Sequence, residues 1–139
     1  MQSSPLSGLA GQPVLLGLEL PADLAWPPAG LPASVQMAGN LDTREERNRV
    51  LDALAQAAAS RLLIACDARQ TPDRGTLSLI AELSAHAGHT GVWLIASADD
   101  GAATRAALWR ERLLALGLPA DAILQTPTLP LTWLEAGHG

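Results

Sequence analysis

The stretch LLIACDARQTPDRGTLSLIAEL, Leu62 to Leu83, decides the fold. An apolar run stops at Asp67, a polar loop carrying Arg69 and Arg74 follows, and an amphipathic helix comes next. Thr71 reads as the N-cap of that helix and Pro72 as its first residue, where a missing N–H costs nothing. Leu77, Ile80, Leu83 and Ala87 supply its apolar stripe, and Gly88 reads as its stop. A strand apolar on both faces, then a loop, then such a helix belongs to a parallel α/β sheet.

The flanking sequence repeats the pattern. GVWLIAS, Gly91 to Ser97, is a second apolar strand, and PVLLGLEL, Pro13 to Leu20, a third. ASVQMAG, from Ala33, reads as an edge strand whose direction stays open. Thr43 with Glu46 forms a capping box, followed by Val50, Leu51, Leu54 and Ala58 at helical spacing, with Arg44, Arg47 and Arg49 outside the stripe. A further helix spans Gly101 to Leu116, with Ala106, Trp109, Leu113 and Leu116 inward and Gly117 ending it. DAILQT, Asp121 to Thr126, reads as a fifth strand.

The organisation that follows is a flexible leader over 1–12, a single α/β domain over 13–130 and an irregular tail over 131–139. The expected fold is three-layer, Rossmann-like or flavodoxin-like, with a mostly parallel sheet of about five strands in the order 2-1-3-4-5. Its odd feature is the first connection. Pro21 to Pro32 holds four prolines and cannot be helical through its middle, although Trp26 is expected to fold back onto the core.

Composition removes several chemistries. The cations are Arg44, Arg47, Arg49, Arg61, Arg69, Arg74, Arg105, Arg110 and Arg112, so the chain has no lysine. A P-loop lysine, a Schiff-base lysine and a cofactor-linking lysine are therefore excluded. The net charge of −5 argues against a nucleic-acid surface, which needs clustered cations. No apolar run approaches the ~20 residues that span a bilayer, so this segment is not expected to insert in a membrane. Cys66 is the lone cysteine, so no disulfide can form within the chain. It reads as a core residue ending an apolar strand.

Ligands of open α/β sheets bind outside the carboxyl ends of the strands. That rule nominates Glu19 on the first strand, Asp67, Arg69, Gln70, Thr71, Asp73 and Arg74 at the end of the third and in the loop after it, and Asp99 after the fourth. Glu19, Asp67 and Asp99 are the acids that could meet at a Mg²⁺. They resemble the metal sites of Toprim domains, but Arg69 stands where an Asp-x-Asp pair needs its second acid, and no metal or other cofactor is expected. His86 and His89 lack a third ligand nearby and read as surface residues. No G-x-S-x-G elbow and no G-x-G-x-x-G turn is present. In the plainest reading of the loop, Asp67 and Asp73 cap their own turns and the arginines pair with them. In the functional reading, two arginines beside a helix N-terminus receive an anion or a partner.

The run from Leu62 to Leu83 with VWLIAS after it is similar to the C-terminal region of a bacterial family of unknown function, most specifically over Asp67 to Thr76. The resemblance extends over about 13–130. It implies a cytoplasmic domain at the bacterial inner membrane, part of a longer membrane protein, with a GTPase-like partner encoded nearby. It assigns no activity. A second likeness, to the later half of translation-type GTPases, lies at the level of fold. Ala96-Ser97-Ala98-Asp99 stands where those carry their Asn-Lys pair, which implies a nucleotide-incompetent relative or convergence. The expected function is a non-catalytic domain docking a protein partner through 67–75. The alternative is a small-ligand or Mg-dependent phosphate site at the same edge.

Overall fold

The computed structural model describes residues 13–18, 20, 31, 35–41, 43–57, 59–68, 71–95, 102–126 and 130–135. The chain is an α/β domain built on a parallel sheet. Its strands are β1 (Pro13–Leu18), β2 (Gln36–Asn40), β3 (Ala59–Asp67) and β4 (Ala87–Ile95), and the two residues of β5 (Ile123–Leu124) extend one edge. The spatial order is β2-β1-β3-β4-β5, and every pairing is parallel, which settles the direction of the second strand.

Strand order fixes where the helices go. The chain moves one way from β1 to β2, then back past β1 to β3, β4 and β5. Right-handed crossovers therefore place the three later connections on one face and the first on the other. The packing agrees. Val50 and Leu54 of α1 (Arg44–Ala57), Leu79, Ile80 and Leu83 of α2 (Arg74–Ser84), and Trp109 and Leu113 of α3 (Ala102–Ala115) bury one face. Val14, Leu16, Leu62, Ile64, Cys66, Val92 and Leu94 meet them from the sheet. Alternate residues Leu15, Leu63, Ala65 and Trp93 point to the other face, where they meet Leu20, Val35 and Leu134.

Several element boundaries differ from the sequence reading. The 131–139 segment, expected to be an irregular tail, carries α4 (Leu131–Glu135). The side chain of Leu134 is buried against the second face. Among the described residues, Leu20, Leu31, Val35, Leu131, Trp133 and Leu134 pack against that face. β4 begins at Ala87, so Ala87 and Gly88 belong to the sheet and not to the end of α2. Helix α2 stops after Ser84, with the Ala85 N–H bonded back to the Glu82 carbonyl at 3.3 Å and the His86 N–H to the Leu83 carbonyl at 3.1 Å. The fifth strand shrinks to two residues because Ala120 to Ala122 wind into a 3-10 turn. Ala58, Trp26 and the 1–12 leader lie outside the described residues.

The end of α3 shows how a turn replaces one buried leucine by another. Gly117 has φ +102°, the Gly117 N–H bonds to the Leu114 carbonyl at 3.0 Å, and the Leu118 N–H to the Leu113 carbonyl at 3.3 Å. This is a Schellman motif, with Leu118 packed in the same core as Leu113. Leu116, expected inward, is 37% exposed, while Leu118 is 8% exposed. A Cβ on Gly117 would meet nothing within 4 Å, so substitution there acts through the backbone alone. Gly117→Ala is expected to cost about 1–2 kcal/mol in urea unfolding, the strain of a left-handed L-residue. An unchanged midpoint would mean that the turn re-forms at negative φ. No helix of the described residues is long and apolar enough to cross a membrane.

Candidate functional site at the strand ends

The chain diverges to opposite faces after β1 and after β3, so the carboxyl ends of these neighbours form the switch point of the sheet. A cavity of about 20 Å³ opens there. Leu18 from β1, Cys66 and Asp67 from β3, Thr71, Asp73 and Thr76 around the start of α2, and Trp109 from α3 line it. Leu18 and Cys66 are register partners, which brings the two strand ends together.

Asp67 closes β3 opposite Ile95 of β4, and the Ala68 N–H bonds to the Ile95 carbonyl at 2.9 Å. At 6% exposure it is the buried charged side chain of the described residues, and neighbouring groups engage it. Burial of a carboxyl group at the sheet edge demands such partners.

The helix start is two residues later than the sequence suggests. Asp73, in extended conformation, is the N-cap of α2, not Thr71, and Pro72 precedes the cap. The Thr76 N–H donates to Asp73 Oδ1 at 2.7 Å, a bond that a carboxylate three residues back is well placed to accept. Thr71 is exposed and Pro72 half-buried. Donation from the Thr76 N–H, opposed by desolvation and then joined by the Thr76 hydroxyl, the Gly75 N–H and last the Arg47 guanidinium, holds the Asp73 carboxyl below its ordinary value.

Arg47 is the residue that sequence reasoning misplaced. Counted outside the apolar stripe of α1, it is half-buried, and its Nε donates to the Leu41 carbonyl at 3.0 Å. Leu41 is itself tied to β1 through its N–H and the Gly17 carbonyl at 2.9 Å. Arg47 thereby links the start of α1, the end of β2 and the cap of α2. Its charge hid this, although its phase did not: Arg47 lies three, four and seven residues before Val50, Leu51 and Leu54, on the same helix face as the apolar stripe. The Thr43 cap of α1 does form, the Glu46 N–H donating to Thr43 Oγ1 at 3.1 Å.

Of the nominated residues, the structure brings Asp67, Thr71 and Asp73 to one cavity. Arg74 is exposed on the first turn of α2, beyond the lining. Glu19, Arg69, Gln70 and Asp99 lie outside the described residues. Among the described residues, no group of three His, Cys, Asp or Glu side chains is arranged to hold a metal ion. His86 sits in the turn after α2, and His89 is exposed on β4.

Asp73→Ala is expected to lose roughly 1 kcal/mol at neutral pH through the lost cap. Thr71→Ala should change little, since Thr71 is exposed and outside the cap. The pH dependence follows in sign. A carboxyl whose folded pKa is lowered contributes stability fully above its unfolded value, near about 4, and loses it as pH falls through the folded value. The stability gap between wild type and variant should therefore be full at neutral pH and narrow in acid. A gap that stays constant from pH 7 to about 2 would remove the carboxylate from the cap.

No curated protein and no solved structure matches the chain. The model of a family described as "Protein of unknown function (DUF2868)" matches residues 1–118. That span contains β1 to β4, α1 to α3 and every residue lining the strand-end cavity. The chain belongs to the DUF2868 family of proteins of unknown function.

Proposed function

We propose that this is a non-catalytic α/β domain whose carboxyl edge around 67–75 docks a protein partner. The observation that supports the reading is the size of the switch-point cavity. About 20 Å³ holds one water, which needs some 10–15 Å³. Small-molecule sites run to roughly 300–1,000 Å³. Around that cavity, Thr71, Asp73 and Arg74 are exposed and polar, as a protein-binding rim is. The flavodoxin-like reading of the sheet makes the contrast meaningful, because flavodoxin-like sheets place their ligands at this switch point. The partner we favour is a GTPase-like protein encoded nearby. The setting we favour is the cytoplasmic side of a bacterial inner membrane, with the domain belonging to a longer membrane protein.

The test is an NMR titration of the domain, first with Mg²⁺, GTP and ATP, then with the GTPase-like protein. Nucleotides are expected to bind no tighter than about millimolar, since neither a lysine nor a glycine-rich phosphate cradle is present. The protein partner should shift the amides of Thr71 to Thr76. Micromolar nucleotide binding at the same amides would replace docking by a small-ligand or Mg-dependent phosphate site.

A further inference from the structure

We propose that α4 is a strap that opens by itself, uncovering the sheet face beneath it while the sheet and its three long helices stay folded. The inference does not depend on the docking reading, because α4 lies on the face opposite α1, α2 and α3. A helix of five residues is far below the ~12–15 that an isolated helix needs, so its neighbours must hold it. Among the described residues, no backbone hydrogen bond joins α4 to a strand. By contrast, β3 is paired with β1 on one side and β4 on the other.

The hold on α4 comes from side chains. Leu134 is buried with Leu15, Leu63 and Trp93, and Trp133 rests against the Gly91 backbone. A Cβ at Gly91 would come within 2.7 Å of the Trp133 ring, so only glycine leaves room for the indole. Arg61 places its guanidinium carbon 4.6 Å from the centroid of that ring. This closed arrangement has an opposing cost, because Arg61 Nε is buried without a hydrogen-bond partner. A buried N–H left unpaired is destabilising, and lifting Trp133 away would return it to water. Apolar contact closes the strap and polar desolvation opens it. Segments held in such a balance open below the threshold of global unfolding.

Two thiols on opposite faces test this. Leu63 is in register with Gly91 on the strap face, whereas the native Cys66 is buried on the helix-covered face. In the Leu63→Cys variant, the introduced thiol should be alkylated on the order of a hundredfold faster than Cys66 in native buffer. Adding Gly91→Ala should speed the introduced thiol by about tenfold or more and leave Cys66 unchanged. Equal rates for both thiols, rising together with urea, would make α4 part of one cooperative unit and overturn the proposal. So would a Gly91→Ala chain that no longer folds. The wild type offers the same comparison without substitution, since the Leu134 N–H bonds to the Pro130 carbonyl at 3.3 Å within the strap itself. Its hydrogen exchange should outpace that of the β3 amides, and exchange of both only through global unfolding would sink the strap.

Discussion

Trp109→Ala should cost about 3–5 kcal/mol, a large part of the roughly 5–15 kcal/mol that holds a domain of this size together. The indole is 3% exposed and sits in the core between α3 and the sheet. Its removal leaves a hole that the surroundings fill poorly. The chain has neither Phe nor Tyr, so the neighbours are aliphatic side chains already packed in the same cluster. Trp109 also walls the strand-end cavity beside Asp67, so truncation would admit water next to a buried carboxyl group. Urea unfolding with an unchanged m-value should show the full loss in the midpoint. A loss below about 1.5 kcal/mol would mean that α3 packs less tightly than its buried face implies.

How far the sequence revealed this arrangement depends on how each residue signals its place. β1, β3 and β4 were legible because strands buried on both faces must be apolar at every position, as Leu62 to Cys66 are. The order 2-1-3-4-5 came with the flavodoxin-like reading of the alternating strands and helices, since crossover hand alone is shared by other doubly wound orders. Boundaries were less visible. Ala87 lies four residues after Leu83, so it fits a helical stripe and a strand start equally well. Thr71-Pro72 carries a helix-start pattern, yet Asp73 wins because its carboxylate accepts the Thr76 N–H, with a lesser contribution from the charge of Arg47. That cationic contribution comes from α1, and no local pattern reports it. α4 escaped for a related reason. Five residues offer one turn of periodicity, and its seat is a glycine forty-two residues earlier in the chain.

The second large effect separates docking from mere helix-making. Arg74 is the first residue of α2, where the helix dipole disfavours a cation by about 0.3–1 kcal/mol. Replacing it with alanine, a better helix former, should leave stability unchanged or slightly raised. Arg69, four residues before Asp73 in the sequence, is the second arginine nominated there. The double variant Arg69→Ala, Arg74→Ala is therefore expected to shift unfolding by less than about 1 kcal/mol. Binding should respond differently. Loss of charge-assisted bonds at an interface costs about 2 kcal/mol or more, so under the docking proposal affinity for the proposed GTPase-like partner should fall roughly 30-fold or further. The measurement is calorimetric titration of wild type and double variant against that proposed partner. Because Arg74 sits against the dipole, a binding loss cannot be blamed on a weakened helix. Equal affinity of the two forms would leave the loop with the single task of starting α2.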